Sequence, residues 1–522
     1  MLRNMDAGAK SARKIGGAVA ACAIQYDHFI GKGYRLQASL YVGSLIEGDD
    51  DDAELSQVEV FRISWPGQSI AEPNRCGRRR GSVDNRRPWR IPLTLSQPTF
   101  MLRSFSSVRL YLICFAAVAL ALPIAIISLA KLLALLGTTV VLLHGWLRPA
   151  MRAELSLASV TPTILLALLL LTLSALWSTG SSEEVLTALA KHARLILIPV
   201  ILSLARSRRD ALIAMGFFVG GQIFLLGSSW LLYAGVPLPW VMSKEAGICD
   251  TCSFAVFSSY LDQSIMSAVL AAVCWHLRSL APTRYRTALA LLVAALALVC
   301  VFFIFQGRTG HLVAIALVLL AMVWEFPRRL HLRVMLIGLL LLVAIAAGSS
   351  RMGERFREVG SSMQPAHPGS KHTLSTDVRL DLWQRSLQSI AESPLVGTGV
   401  GSWNREFKRQ EENHAAEMPI NRASAEHHNP HQEYLLWGVE MGLPGILLLC
   451  ALFVALYRDS QKLAAPERRA LQSVLLALLV ACLFNCALHD AMIGDFFCIT
   501  LGLLLALRMP VAARPSAVPA VA

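Results

Sequence analysis

The chain has 522 residues, 55% of them hydrophobic and only 16% charged, with a mean hydropathy of +0.53. Soluble domains carry about 25% charged residues, so this composition argues against an ordinary soluble enzyme and for a polytopic membrane protein. The net charge of +13 does not indicate a nucleic-acid binder, because the arginines fall in short clusters between apolar runs, the distribution produced by the positive-inside rule.

Residues 1–100 differ from the rest. They hold an acidic run, Glu47 to Glu54, and a basic run, Arg75 to Arg90, and their longest apolar patch, Ala18 to Ile24, is too short to span a bilayer. The segment reads as a disordered cytoplasmic tail, or as sequence upstream of a true start at Met101. From residue 110 the apolar runs follow quickly. The expectation is an all-α polytopic membrane protein of twelve spans: 110–128, 130–147, 158–177, 185–205, 211–234, 257–277, 287–305, 310–325, 333–348, 433–457, 470–488 and 490–508. The domain plan is 1–100 as tail, 101–348 as helices one to nine, 349–432 as a loop, 433–510 as helices ten to twelve, and 511–522 as a second tail.

The loops orient this plan. With the N-terminus in the cytoplasm, the cytoplasmic loops collect fifteen Lys and Arg residues, from Arg148 to Arg469, against Lys131, Lys244 and Arg308 outside. The long loop 349–432 is then external, which in a bacterium is periplasmic. It carries ten basic and ten acidic residues, so it is not a polybasic arm. Within it Asp377 can cap a helix running to about Glu392 and stopped by Pro394, with Val378, Leu382, Trp383, Leu387 and Ile390 at helical spacing. Gly397-Thr-Gly-Val-Gly401 lacks the strand and spacing of a nucleotide loop and reads as a flexible turn. Cys249-x-x-Cys252 is the one local cysteine pair and a possible disulfide.

Chemistry concentrates where the loop meets membrane. His427, His428 and His431, with His414, suggest a metal, but no Cys or carboxylate cluster completes a site; one histidine as a general base needs no further ligand. Lys191 and Arg194 lie inside helix four near its external end, and Arg308, in Gln-Gly-Arg-Thr-Gly, opens helix eight. Intramembrane cations are costly and mark function; several at the level of Arg379 and His431 suit a lipid-linked diphosphate, because guanidinium grips phosphate oxygens bidentately.

At these residues the chain resembles the superfamily of O-antigen ligases and O-antigen polymerases. The pattern is Arg379-x-x-x-Trp383, then Pro394-Leu-Val-Gly-Thr-Gly399, then His431-Gln-Glu-Tyr-Leu435 leading into Glu440-x-Gly442-x-x-Gly445, with Arg308 in the upstream arginine motif. The resemblance spans about 110–508. The family usually has Asn after the histidine, where Gln432 stands; a literal His-Asn occurs at His428-Asn429. The resemblance implies metal-independent, inverting transfer of a glycan from undecaprenyl diphosphate to lipid A-core at the inner membrane, without a cofactor. It assigns His431 as base, Arg308 and Arg379 as diphosphate ligands, Arg194 from its position as a third, and His428 and Lys191 as reserves. The rivals are an O-antigen polymerase, a protein O-oligosaccharyltransferase, and a transporter of lipid-linked sugars.

Overall fold

The computed structural model describes residues 21–25, 39–43, 98–147, 159–241, 254–305, 307–333, 335–338, 340, 375–413 and 429–508. The chain divides into two units, Met1–Leu93 and Thr94–Ala522. The first contains a two-stranded antiparallel ribbon, β1 (Ala21–Gln25) paired with β2 (Ser39–Gly43), in the segment expected to lack regular structure.

The second unit is helical. The break between α1 (Pro98–Ala119) and α2 (Ile124–Leu147) falls at Pro123, whose ring removes a helix-bonding N–H, about six residues before the expected break at residue 129. α3 (Val160–Ser174) continues through a 3₁₀ turn, Ala175–Trp177. α4 (Ser182–His192), a 3₁₀ turn at Ala193–Ile196 and α5 (Leu197–Leu204) together make the expected fourth span. α6 (Arg208–Tyr233), α7 (Tyr260–Leu277), α8 (Arg284–Val299, extended by a π turn to Ile304) and α9 (Arg308–Glu325) follow. The loop contributes α10 (Ser375–Glu392) and α11 (Trp403–Asn413). α12 (Glu433–Ser460), α13 (Ala465–Phe484) and α14 (Ala491–Ala506) complete the unit.

Helix starts follow the short polar residues. Ser181, Ser207, Ser259 and Thr283 each accept a backbone N–H of the first turn, and Ser181 forms a capping box with Glu184. Among the described residues seven helices are long and apolar enough to cross a membrane: Ile124–Leu143, Val160–Trp177, Ser182–Leu204, Arg208–Tyr233, Arg284–Ile304, Arg308–Glu325 and Glu433–Ser460. Their outward faces carry large exposed aliphatics, such as Leu132, Leu136 and Leu143 on α2 and Leu289, Leu292 and Leu296 on α8. A water-soluble monomer rarely exposes apolar surface on that scale, whereas lipid covers it without cost; the protein is a membrane protein.

The centre of the bundle is more polar. α7 is buried over most of its length, Gln263, Ser264, Ser267 and His276 included, and it contacts α8, α9 and α13. α14 is buried from Met492 to Ala506 and lies along α5. Helices surrounded by other helices can carry hydroxyls and amides that close contact satisfies. α10 rests on α12, with Leu382 and Ile390 in one cluster with Leu435, Leu436 and Val439, while Leu387, expected on the inner face, is exposed.

Candidate active site

The site is built on a broken helix. Gly442 has φ 67° and ψ −158° inside α12, and Pro444 follows two residues later. Pro444 has no N–H to give the Glu440 carbonyl, and the kink diverts Leu443 N from Val439 O. Buried carbonyls need partners. The glycine loop supplies them: Thr398 N donates to Val439 O (2.8 Å), Gly399 N to Glu440 O (2.9 Å), and in return Leu443 N donates to Pro394 O (2.8 Å). The Pro394–Gly401 and Glu440–Gly445 motifs are thus two halves of one joint.

The loop expected to be a flexible turn is therefore fixed. Gly397, Gly399 and Gly401 all have positive φ, and a Cβ at Gly397 would meet the Met441 and Gly442 nitrogens at 2.5 Å. Val400 N donates to Ser174 Oγ (3.1 Å), and Thr179 N to Thr398 O (3.0 Å), tying the joint to the end of α3. Replacing Gly399 (φ 90°) with alanine drives a Cβ into the Ser178 backbone. Strain alone costs roughly 1–3 kcal/mol, so Gly399→Ala is expected to lower the apparent Tm and the yield of detergent-extracted protein. Wild-type Tm would remove the joint from the stability of the fold.

Under the joint lies a charged core. His192 Nε2 and Glu440 Oε2 are 2.8 Å apart with both side chains 1% exposed, and Glu440 Oε1 accepts from Gly401 N at 2.9 Å. Glu433, wholly buried, accepts from Trp437 Nε1 (3.0 Å) and from the backbone N–H groups of Leu488 (3.0 Å) and His489 (3.4 Å). These carboxylates pin α12 to α4 and to the turn between α13 and α14.

Two cations expected from sequence come together. Gly307 and Gly310 let α9 approach α7 closely: a Cβ at Gly307 would meet Ser264 Oγ at 2.5 Å, and one at Gly310 would overlap the same side chain. That contact brings Arg308, the first residue of α9, to the start of α7. Arg379 of α10 faces it. Burial, with the Arg308 charge second, pushes the Arg379 guanidinium below its ordinary value, while the Tyr260 phenol acts the other way.

The segment that carries His431 is tied to the helix that carries Arg379. Trp383, one turn along α10 from Arg379, donates through Nε1 to Pro430 O (3.1 Å), and His431 N donates to Asn429 Oδ1 (2.9 Å). His431 has φ 49°, unusual for a residue other than glycine. The Asn429 side chain closes an Asx turn that supports this backbone; sequence reasoning gave Asn429 no role. Gln432 occupies the N-cap of α12 without a side-chain cap bond, a position that favours Asn over Gln.

Arg194 is otherwise engaged. It donates to His489 O and lies 3.7 Å from Asp495, which also pairs with Lys131 at 2.6 Å. Lys191 lines a separate cavity with Glu440 and His489. His414, His427, His428 and the Cys249–Cys252 pair lie outside the described residues. Among the described residues no group of three His, Cys, Asp or Glu side chains could hold a metal.

Residues 293–450 match the family model described as O-antigen ligase. This stretch is an O-antigen ligase family domain. It contains Arg308, Arg379, His431 and the whole α12 joint, and leaves Lys191 and Arg194 outside. No curated protein matches the chain. The family supports an O-antigen ligase activity or a related polymerase activity, with lipid-linked glycans and lipid A-core as its general substrates.

Proposed function

We propose that the protein is an O-antigen ligase that transfers a glycan from undecaprenyl diphosphate to lipid A-core. In this reading twelve helices cross the inner membrane, with α1, α7, α13, α14 and the segment 333–348 joining the seven apolar spans, and the loop 349–432 faces the periplasm. The observation that carries the reading is the juxtaposition of Arg308 and Arg379 at the level to which Trp383 and Pro430 bring His431. Two guanidinium groups held close in a half-buried site repel each other, and a diphosphate is an anion that both can grip at once.

The acceptor hydroxyl attacks the anomeric carbon as His431 takes its proton. The bond from that carbon to the diphosphate oxygen breaks, and the charge developing on the leaving undecaprenyl diphosphate is met by Arg308 and Arg379, which stabilise it more in the transition state than in the ground state. Inversion follows from attack opposite the leaving group. Cleavage of the glycosyl diphosphate drives the reaction, so neither ATP nor a cofactor is required. The carboxylates Glu433 and Glu440 do not touch the reacting atoms in this scheme; they hold α12 and the glycine loop in place.

Deletion of the protein, followed by gel analysis of lipopolysaccharide, tests the reading. Uncapped lipid A-core with accumulating lipid-linked polymer is the expected result. A core capped with one repeat unit would make the protein a polymerase, and intact lipopolysaccharide with unglycosylated proteins would make it a protein transferase.

A further inference from the structure

A cavity lies beside the joint, lined by none of Arg308, Arg379 and His431. Its volume is about 270 Å³, and it is an open pocket lined by α4, the glycine loop, α11, α12 and His489. Glu183 and Thr187 are exposed at its mouth, and Glu440 and His489 are buried at its floor. Lys191, Asn404 and Trp403 line it between them.

The floor has an unmet need. His489 is 5% exposed, and among the described residues its Nδ1 is buried without a hydrogen-bond partner. A buried polar atom left in this state costs about 1–3 kcal/mol, a cost that a ligand hydroxyl removes once a small turn of the imidazole brings Nδ1 to the cavity it lines. The walls are largely committed: Glu184 Oε1 accepts from Asn404 Nδ2 (3.1 Å), Trp403 Nε1 donates to Ser386 Oγ (3.1 Å), and both Glu440 oxygens have partners.

The lining selects the ligand. Three carboxylates (Glu183, Glu184 and Glu440) against one ammonium, Lys191, disfavour a phosphate. Hydroxyl groups suit the mixture, because each both donates to a carboxylate and accepts from an imidazole, ammonium or amide N–H. The volume falls just below the roughly 300–1,000 Å³ of drug-sized pockets, which leaves room for one sugar ring.

We infer that this cavity is a saccharide subsite that seats one sugar residue of the acceptor or of the donor glycan, with His489 and Lys191 on its hydroxyls. The inference rests on the reading of the protein as a glycan transferase. It gives the glycine loop a second use: Gly401, which lines the cavity and bonds Glu440, fixes the distance between the sugar subsite and α12.

The test is Thr187→Trp, which fills the exposed mouth, with Asn404→Leu as a second variant that removes one polar wall at similar size. Purified protein in nanodiscs is assayed for transfer with lipid-linked glycan donor and lipid A-core acceptor, each titrated in turn. Binding of fluorescent core oligosaccharide released from lipid A, and of delipidated donor glycan, is measured in parallel. A rise of about tenfold in KM, the loss of roughly one good hydrogen-bonded contact, is expected for one substrate only. A rise for the acceptor assigns the cavity to acceptor sugar, and a rise for the donor assigns it to donor sugar. Equal rises for both, or no rise in either variant, overturn the inference. If the wild-type protein transfers nothing, the transferase reading fails, and the cavity is judged on binding alone: saccharide binding that both variants leave unchanged, or wild-type protein that binds neither saccharide, overturns it, and wild-type binding that either variant weakens upholds it.

Discussion

His431→Ala is expected to reduce glycan transfer by about 10²–10⁴-fold, the usual cost of losing a general base, while the protein stays in the membrane at its normal level. The reason for expecting a chemical rather than a structural loss lies in the backbone. His431 sits at φ 49°, a conformation that costs a non-glycine residue of order 1–3 kcal/mol and persists where the surroundings impose it. Asn429 Oδ1 and the Trp383–Pro430 bond impose it here. Alanine leaves both bonds intact, so folding survives and the imidazole alone is lost. Initial rates with purified lipid-linked donor and lipid A-core acceptor, with and without EDTA, check this. Unchanged turnover in His431→Ala would remove the base assignment, and activity lost to EDTA and restored by a divalent metal would favour a metal role for the His428–His431 segment.

Periodicity and loop charge were enough to read the lipid-facing helices, because a residue that faces lipid must be apolar whatever its neighbours are. α2, α3 and α8 show this with their exposed leucines. The inner helices are harder to read. α7 carries Gln263, Ser264 and Ser267 in its buried face, and α10 buries Ser386 and Arg385 while exposing Leu387; in both, local partners decide burial. α11 was missed for a related reason. Its eleven residues, WNREFKRQEEN, are mostly charged, and Trp403, Glu406, Phe407 and Gln410 form the buried stripe, with Glu406 paired to Arg409 at 2.8 Å.

The candidate site was legible as a set of motifs but not as a mechanism of assembly. Arg308, Arg379 and His431 stand in recognisable surroundings. His192 has no local signal at all: its partner Glu440 lies on α12, and only folding brings the two within 2.8 Å. Glu433 likewise spends its charge on the Leu488 and His489 backbone. Spacing alone makes the glycine loop a flexible turn, because it does not reveal that Gly442 and Pro444 leave two carbonyls for the loop to satisfy. A joint between a positive-φ loop and a broken helix would be signalled by both motifs together: Gly-x-Gly in one segment, and Gly with Pro two residues on inside an apolar helix in the other.

Arg379→Lys is expected to lose roughly ten- to a hundredfold in transfer, the worth of a charge-assisted bidentate contact of about 1.5–3 kcal/mol, although the charge is kept, because an ammonium cannot reproduce the planar fork. Arg379→Gln separates function from architecture more sharply. In the folded protein burial and the neighbouring Arg308 both disfavour the charged guanidinium. A base held below its ordinary value in the native state lowers stability wherever it is charged, and so at neutral pH. Removing that charge relieves the repulsion, so in donor-free protein Arg379→Gln is expected to melt at or above the wild-type temperature while its transfer rate collapses. Arg308→Gln is expected to lose transfer as well. The double variant is expected to lose less activity than the product of the two single losses, because both groups act on one ligand. Thermal melting without donor and initial rates with saturating acceptor measure the two effects separately. A large fall in Tm for Arg379→Gln, tracking the loss of rate, would make the arginine a structural residue of α10 and withdraw the diphosphate site.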